Sequence, residues 1–363
     1  LLKEHQPLHI LPNLSQNINT KSYFLRYARP WHSPAEPKCA SSHITRLFFR
    51  IFSTFYLIHK KQPFILLSIF IIDLLYILSG IFYDRNRQAT QEEIFLNTIS
   101  DYHVHTSFSG DCSIPPETMI EAAVRGGIRH LCLTDHMDYD YEEGGVCFEF
   151  DPKEYLRRLS PMKEKYADQI DLAVGIELGL QPYLSKKHHN LVFSNSFDFV
   201  IGSIHLVHSR DPYFPSYFEG REENEAYLEY FQCALQNLQA YSNFDTFGHL
   251  DYVVRYGPNR NRFYSYDRYR EILDEILRAL IRKDIGLEVN TGGYRYGLDA
   301  PNPCREIICR YRELGGRIIT LGSDAHDPGY LAYGFGQAAE LLKSCGFDSY
   351  FIFHDRKPEE IGL

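Results

Sequence analysis

The chain lacks the marks of several common functional classes. Its 363 residues contain no C-x-x-C pair, and its eight cysteines follow no regular spacing. They read as a reduced intracellular set and not as a disulfide framework. Positive charge is not in excess. Lys and Arg number 38 against 47 Asp and Glu, a net charge of −9 with histidine neutral, which gives no support to a broad nucleic-acid surface. No internal repeat is present, so solenoid and propeller architectures are set aside.

The first hundred residues differ from the rest. The chain opens on Leu1 where a Met would be usual, residues 1–45 are polar and Pro-containing, and residues 64–83, "FILLSIFIIDLLYILSGIFY", form one long apolar run. That length suits a bilayer, but Asp73 in its middle is costly in lipid. Residues 1–95 are therefore expected to be an extension, either disordered or holding an apolar or transmembrane helix at 64–83, and residues 96–363 the functional domain. Basic residues before the run would place the N-terminus inside. A cytoplasmic protein is the leading expectation, and membrane attachment through 64–83 the lesser one.

What is present from Asp101 onward is a rhythm of apolar strands and amphipathic helices. Strands are expected at 101–106, 130–136, 171–180, 197–207, 244–251, 286–291 and 317–326. Helices are expected at 115–127, 151–168 (broken near Pro161), 224–239, 266–284 and 304–316. Such alternation implies a parallel sheet, and seven strand units suit a closed or nearly closed α/β barrel.

Ionisable residues fall repeatedly at the strand ends: His103 and His105, His136, Glu177, His205, His249, and Asp324 with His326; Asp111 lies in the loop after the first strand. In a β/α barrel these ends meet on one face. One histidine is readily explained as core; six, joined by three carboxylates, converge as a metal centre. Nitrogen and oxygen donors without cysteine favour zinc, manganese or iron over calcium. Nine ligands suffice for three divalent ions if one carboxylate bridges, and Glu177, in an otherwise apolar strand, is the natural bridge.

The segments "DYHVHTSFSGD", "LCLTDH", "GIELGL", "GSIH", "GHLD" and "LGSDAH" together resemble the PHP metallophosphoesterase superfamily. "EEGGVCFEFDPKEY", "LEVNTGGYRYG" and "YFIFHDRKPEEI" extend the likeness to its histidinol-phosphatase branch. The resemblance covers about 101–363. It implies a distorted seven-stranded (β/α)7 barrel with a trinuclear site: His103, His105, Glu177 and Asp324 on one metal, Glu177, His205 and His249 on a second, Asp111, His136 and His326 on the third. It also implies hydrolysis of L-histidinol phosphate to L-histidinol and phosphate in histidine biosynthesis, with a metal-activated hydroxide attacking phosphorus in line. The expected partner is thus a small phosphorylated metabolite, with no nucleic acid.

Further roles are expected around that set. Asp101, two residues before His103, would order a ligand imidazole. Arg255, after the fifth strand, and Arg295, in "NTGGYRYG", would clamp phosphate through planar guanidinium forks. The acidic run "DYDYEEGG" at 138–145 would meet a cationic substrate or remain a solvated loop. His208 and Arg210 would line the fourth-strand exit. Two other functions stay open: a PHP phosphoesterase acting on nucleotides or nucleic-acid ends, and a noncatalytic metal-binding module at a membrane.

Overall fold

The computed structural model describes residues 100–363, and the expectations for 1–95, including the apolar run at 64–83, lie outside the described residues. Seven parallel strands follow one another in chain order: β1 (Ser100–Val104), β2 (His130–Leu133), β3 (Asp171–Gly179), β4 (Phe199–Ser203), β5 (Thr246–Phe247), β6 (Gly286–Asn290) and β7 (Ile319–Gly322). A two-residue step at His136–Met137 also pairs with β3, setting His136 opposite Glu177. The strands are buried along almost their whole length, as a sheet covered on both faces requires. The sheet curls until its ends meet. Asp324 N–H donates to the His103 carbonyl at 2.8 Å, His105 N–H donates to the Ala325 carbonyl at 3.0 Å, and Val104 and Ala325 form a parallel bridge. The barrel is thus nearly closed, joined at the C-terminal ends of β1 and β7.

The helices are α1 (Pro116–Arg125), α2 (Pro152–Tyr166), α3 (Ser185–Ser194), α4 (Glu223–Ala240), α5 (Arg270–Arg282), α6 (Arg305–Glu313) and α7 (Phe335–Ser344). α1 begins at a proline, where no intrahelical N–H is required, and ends at Gly126. The Asp151 side chain caps α2 by accepting from Lys153 N–H at 2.9 Å. The break expected near Pro161 does not occur. Tyr155, Leu159, Met162 and Tyr166 bury one face of the helix, while Pro161 sits on the exposed face, so the lost backbone bond lies on the solvent side. The helix expected over 266–284 starts with a 3-10 turn at Tyr266–Tyr269 before α5 proper.

The chain ends in an antiparallel hairpin, β8 (Ser349–His354) and β9 (Lys357–Gly362). It is tied to the strand starts: Tyr102 Oη donates to the Phe353 carbonyl at 3.1 Å, and Arg356 N–H to the Asp198 carbonyl at 2.9 Å. One continuous apolar cluster runs from Tyr102 and Leu131 through Leu321 to Ile352. The reading of a fully reduced cysteine set is corrected at one pair. Cys309 on α6 and Cys345 just after α7 are joined in a disulfide, because these two helices pack together although their cysteines are 36 residues apart. Among the described residues no helix is long and apolar enough to cross a membrane.

Candidate active site

All nine residues singled out at strand ends and in the first loop gather at the C-terminal mouth of the barrel. Glu177 is the hub, with 0% of its surface exposed. Its Oε1 lies 3.2 Å from His205 Nε2 and 3.0 Å from His249 Nε2. Its Oε2 lies 3.2 Å from His103 Nε2, 3.6 Å from His105 Nε2 and 3.0 Å from His136 Nδ1. Asp324 Oδ1 approaches His105 Nε2 at 3.4 Å and His103 Nε2 at 3.9 Å. Asp111 Oδ2 stands 3.1 Å from His326 Nε2 and 3.8 Å from His136 Nε2. The His105 ring stacks between those of His136 and His326, at 4.3 and 4.1 Å between centroids.

In four of the six rings the second nitrogen explains the arrangement. His103 Nδ1 meets Glu288 Oε1 at 2.5 Å, His105 Nδ1 meets Ser109 Oγ at 3.0 Å, and His205 Nδ1 meets Asp138 Oδ1 at 2.6 Å. His326 Nδ1 meets the Asp324 carbonyl at 3.1 Å. These acceptors hold the proton on Nδ1 and turn an Nε2 lone pair toward the carboxylates of the centre. Lone pairs facing carboxylate oxygens repel unless a cation stands between them. Consistent with that, His103 Nε2, His105 Nε2, His326 Nε2, His136 Nδ1 and Glu177 Oε2 are buried without a hydrogen-bond partner. Leaving such atoms unpaired is costly, and metal ligation satisfies them together. Groups of three side chains able to share an ion include His103–His105–Asp324, His136–Glu177–His205 and His105–His136–His326.

Charge in the centre is finely opposed. Burial would raise the Glu177 carboxyl, but the imidazoles of His103, His136 and His205 hold it well below the ordinary glutamate value. Burial acts the same way on Asp324, where Arg255 and then His103 bring it well below the usual range. His103 and His105, two residues apart, shift in opposite directions. Burial lowers both, yet Glu288 and Glu177 raise His103 well above the ordinary value, while His326 and His136 drive His105 further down.

Glu288 and Ser203, which carry no expectation from sequence, and Asp138, expected only as part of the acidic run 138–145, complete the frame. Glu288 on β6 holds His103 and also accepts the His249 backbone N–H at 2.7 Å. Asp138 orients His205, and Ser203 donates to Glu177 Oε1 at 2.6 Å. Close backbone approach is needed here: a Cβ at Gly322 would strike His103 Cβ and Glu288, and one at Gly179 would strike Asp138. Asp324 itself sits in the left-handed region at φ 58°, a costly conformation for a non-glycine residue that aims its carboxylate into the centre.

The expectation for Asp101 needs correction. Its carboxylate touches no ligand imidazole; it accepts from Ser323 N–H at 2.9 Å, Ser323 Oγ at 2.5 Å and Ala332 N–H at 2.9 Å. The pairing register of β1 shifts between Asp101 and Val104, so simple alternation does not place Asp101 beside the His103 ring. Asp101 instead ties β1 to the loop bearing Asp324. The two arginines differ. Arg255, 3% exposed, donates from Nη1 to Asp324 Oδ2 at 2.8 Å, from Nε to Asn302 at 2.8 Å and from Nη2 to Asn290 at 2.7 Å. Arg295 is partly exposed and makes one hydrogen bond, to the Asp324 carbonyl at 3.0 Å. Both line a cavity of about 520 Å³ above the centre, whose walls include Tyr141, Phe148, Tyr252, Tyr256 and Tyr296. Within the acidic run 138–145, Asp138 and Tyr141 line that cavity, with Asp211 beside them. His208 and Arg210 do not: His208 pairs with Glu229 and Arg210 with the Ser216 carbonyl.

A family model described as "PHP domain" matches residues 101–292. A histidinol-phosphatase of Lactococcus lactis is 32% identical over 261 residues, covering 71% of this chain and 95% of that protein. A probable histidinol-phosphatase of Thermotoga maritima is 30% identical over 249 residues, covering 68% and 93%. The crystal structure of histidinol phosphate phosphatase from Lactococcus lactis, complexed with zinc, L-histidinol and phosphate, superposes with a TM-score of 0.68 at 31% identity, covering 72% of this chain and 99% of that one.

Proposed function

The chain belongs to the PHP-domain family, and from that premise we propose that it is a metal-dependent phosphatase hydrolysing L-histidinol phosphate to L-histidinol and phosphate, a step of histidine biosynthesis. The observation that carries the reading is the ring of Nε2 atoms turned on Glu177 and Asp324 beneath a cavity that also holds the partly exposed Arg295 guanidinium, only one of whose donors is taken, by the Asp324 carbonyl. The relative crystallised with zinc, L-histidinol and phosphate supports the same ligands here.

We assign His103, His105, Glu177 and Asp324 to one divalent ion, Glu177, His205 and His249 to a second, and Asp111, His136 and His326 to a third. Nitrogen-rich ligation suits zinc, manganese or iron. Bound there, the ions would neutralise phosphoryl charge and lower the pKa of water. The chain's own residues do the rest. Glu288, Ser109 and Asp138 keep protons on Nδ1, so that His103, His105 and His205 offer lone pairs. Arg255, with three donors committed to Asp324, Asn302 and Asn290, fixes the Asp324 carboxylate at the cavity wall. Arg295 has donors to spare for phosphoryl oxygens, which its planar fork matches. Asp211 and the tyrosine walls suit a cationic amine and imidazole.

Metal stripping tests this reading. Chelator-treated protein is expected to release no phosphate from L-histidinol phosphate and to recover on adding zinc, manganese or iron. Undiminished turnover by protein shown to be metal-free would overturn it.

A further inference from the structure

The opposite end of the barrel carries a second convergence of ligating groups. His130 opens β2 and Asp171 opens β3, and the two are register partners. His354 ends β8 in the C-terminal hairpin. His130 Nδ1 lies 2.7 Å from Asp171 Oδ2, and His354 Nε2 lies 3.1 Å from that same oxygen. One donor atom from each of the three residues falls within 4.8 Å of the others.

We propose that His130, Asp171 and His354 form a separate zinc site at the base of the barrel, with Glu359 of β9 or water as the remaining ligand. Tetrahedral zinc with bonds of about 2.0–2.1 Å sets its ligand atoms roughly 3.3 Å apart. The separations of 2.7 and 3.1 Å, and of 3.9 Å between His354 Nε2 and Glu359 Oε2, bracket that value. Two imidazoles and a carboxylate are a donor set that zinc favours.

The site is built before any ion arrives. Backbone pairing between β2 and β3 fixes His130 beside Asp171. Buried Ile352 and Phe353, with Tyr102 bonded to the Phe353 carbonyl, fix the strand that presents His354. The nearby Lys163 ammonium is bound to Asp198 at 2.8 Å and does not take the Asp171 carboxylate. All three ligating side chains retain solvent access, so an ion can enter. A bound zinc would staple the C-terminal hairpin to the starts of two barrel strands. The competing account is a pair of imidazole hydrogen bonds to one carboxylate, with no ion.

The test counts zinc on the full chain. Wild type, His130→Gln and His354→Gln are dialysed to equilibrium against the same zinc solution and analysed for metal per chain, with phosphatase activity as the control for fold. Neither histidine touches the C-terminal mouth. Each variant is expected to carry one zinc fewer than wild type, at unchanged kcat. Equal zinc content in all three would overturn the proposal. Crystals of zinc-loaded wild type give a decision independent of the variants. An anomalous zinc peak is expected between His130, Asp171 and His354, and peaks at the mouth with none at the base would refute the site.

Discussion

Replacing Glu288 by Gln probes how the protein prepares its ligands. The Glu288 carboxylate accepts from His103 Nδ1 at 2.5 Å through Oε1, and from the His249 backbone N–H at 2.7 Å through Oε2. Both contacts demand an acceptor, and a carboxylate supplies two. An amide supplies one. If its oxygen serves His103, its NH2 opposes the His249 N–H, leaving a buried donor unpaired at a cost of about 1–3 kcal/mol. If it turns over, its NH2 donates to His103 Nδ1 and drives the imidazole proton onto Nε2, where the lone pair must be. Loss of such an orienting partner lowers metal affinity or activity by about 10–100-fold, which corresponds to about 1.4–2.7 kcal/mol. The assay is a zinc titration of phosphatase activity in metal-buffered solution. Half-maximal activity in Glu288→Gln should need about 10–100-fold more free zinc, and kcat should largely recover at saturation. An unchanged zinc requirement would refute the reasoning, as would a low kcat that zinc does not restore.

Other perturbations separate the remaining roles. Glu177→Gln should weaken two metals, because a neutral amide bridges poorly between His205 and His249 on one oxygen and His103 on the other, whereas His136→Ala should weaken mainly one; elemental analysis after controlled loading compares them, and equal loss of a single metal in both would contradict the assignments. Arg295→Ala should lower kcat/KM on every phosphate ester by at least about tenfold, the equivalent of one charged hydrogen bond, with metal content unchanged. Far from the centre, Asp274 accepts from Arg310 at 2.9 and 2.8 Å, from Tyr266 at 2.6 Å and from Arg278 at 2.7 Å, and these partners, Arg310 first, hold its carboxyl well below the usual range. A depressed folded-state pKa stabilises above the unfolded value and is lost as pH falls through the folded one. Asp274→Asn should therefore cost on the order of 2 kcal/mol near neutrality, and the gap in denaturant stability should narrow only below about pH 4.

Much of the site was legible because alternating strands and helices bring their strand ends together whatever the sequence distance. The six histidines with Glu177 and Asp324 follow from that rule, Asp111 comes with them from the loop after β1, and all nine meet at the mouth. Glu288 carried the same signal as Glu177, a lone carboxylate inside an apolar strand, in "LEVN" as in "IELG". Each lies two residues before the end of its strand, so position alone does not separate Glu288 from the ligand Glu177. In sequence Asp138 is one of a run of acidic loop residues, and only the fold shows it buried beneath His205. Arg255 looked like a free clamp because sequence does not reveal Asn290 and Asn302, whose side chains absorb its donors. The terminal hairpin was hidden for a different reason. Its turn is Asp355–Arg356, both at positive φ, without the Asn-Gly or Gly-Gly pair that usually announces such a turn. α3, "SKKHHNLVFS", is only ten residues long and buries just His188, Leu191 and Val192, too few apolar positions to announce a helix unaided.

The substrate comparison tests the central claim most directly. Purified, metal-loaded protein is assayed on L-histidinol phosphate, p-nitrophenyl phosphate, nucleoside monophosphates and short DNA oligomers under one set of conditions. The acidic and tyrosine-lined cavity should favour L-histidinol phosphate by at least about 100-fold in kcat/KM, a differential of only about 2.7 kcal/mol in transition-state binding. Comparable kcat/KM on all of these substrates would contradict the histidinol-phosphate assignment.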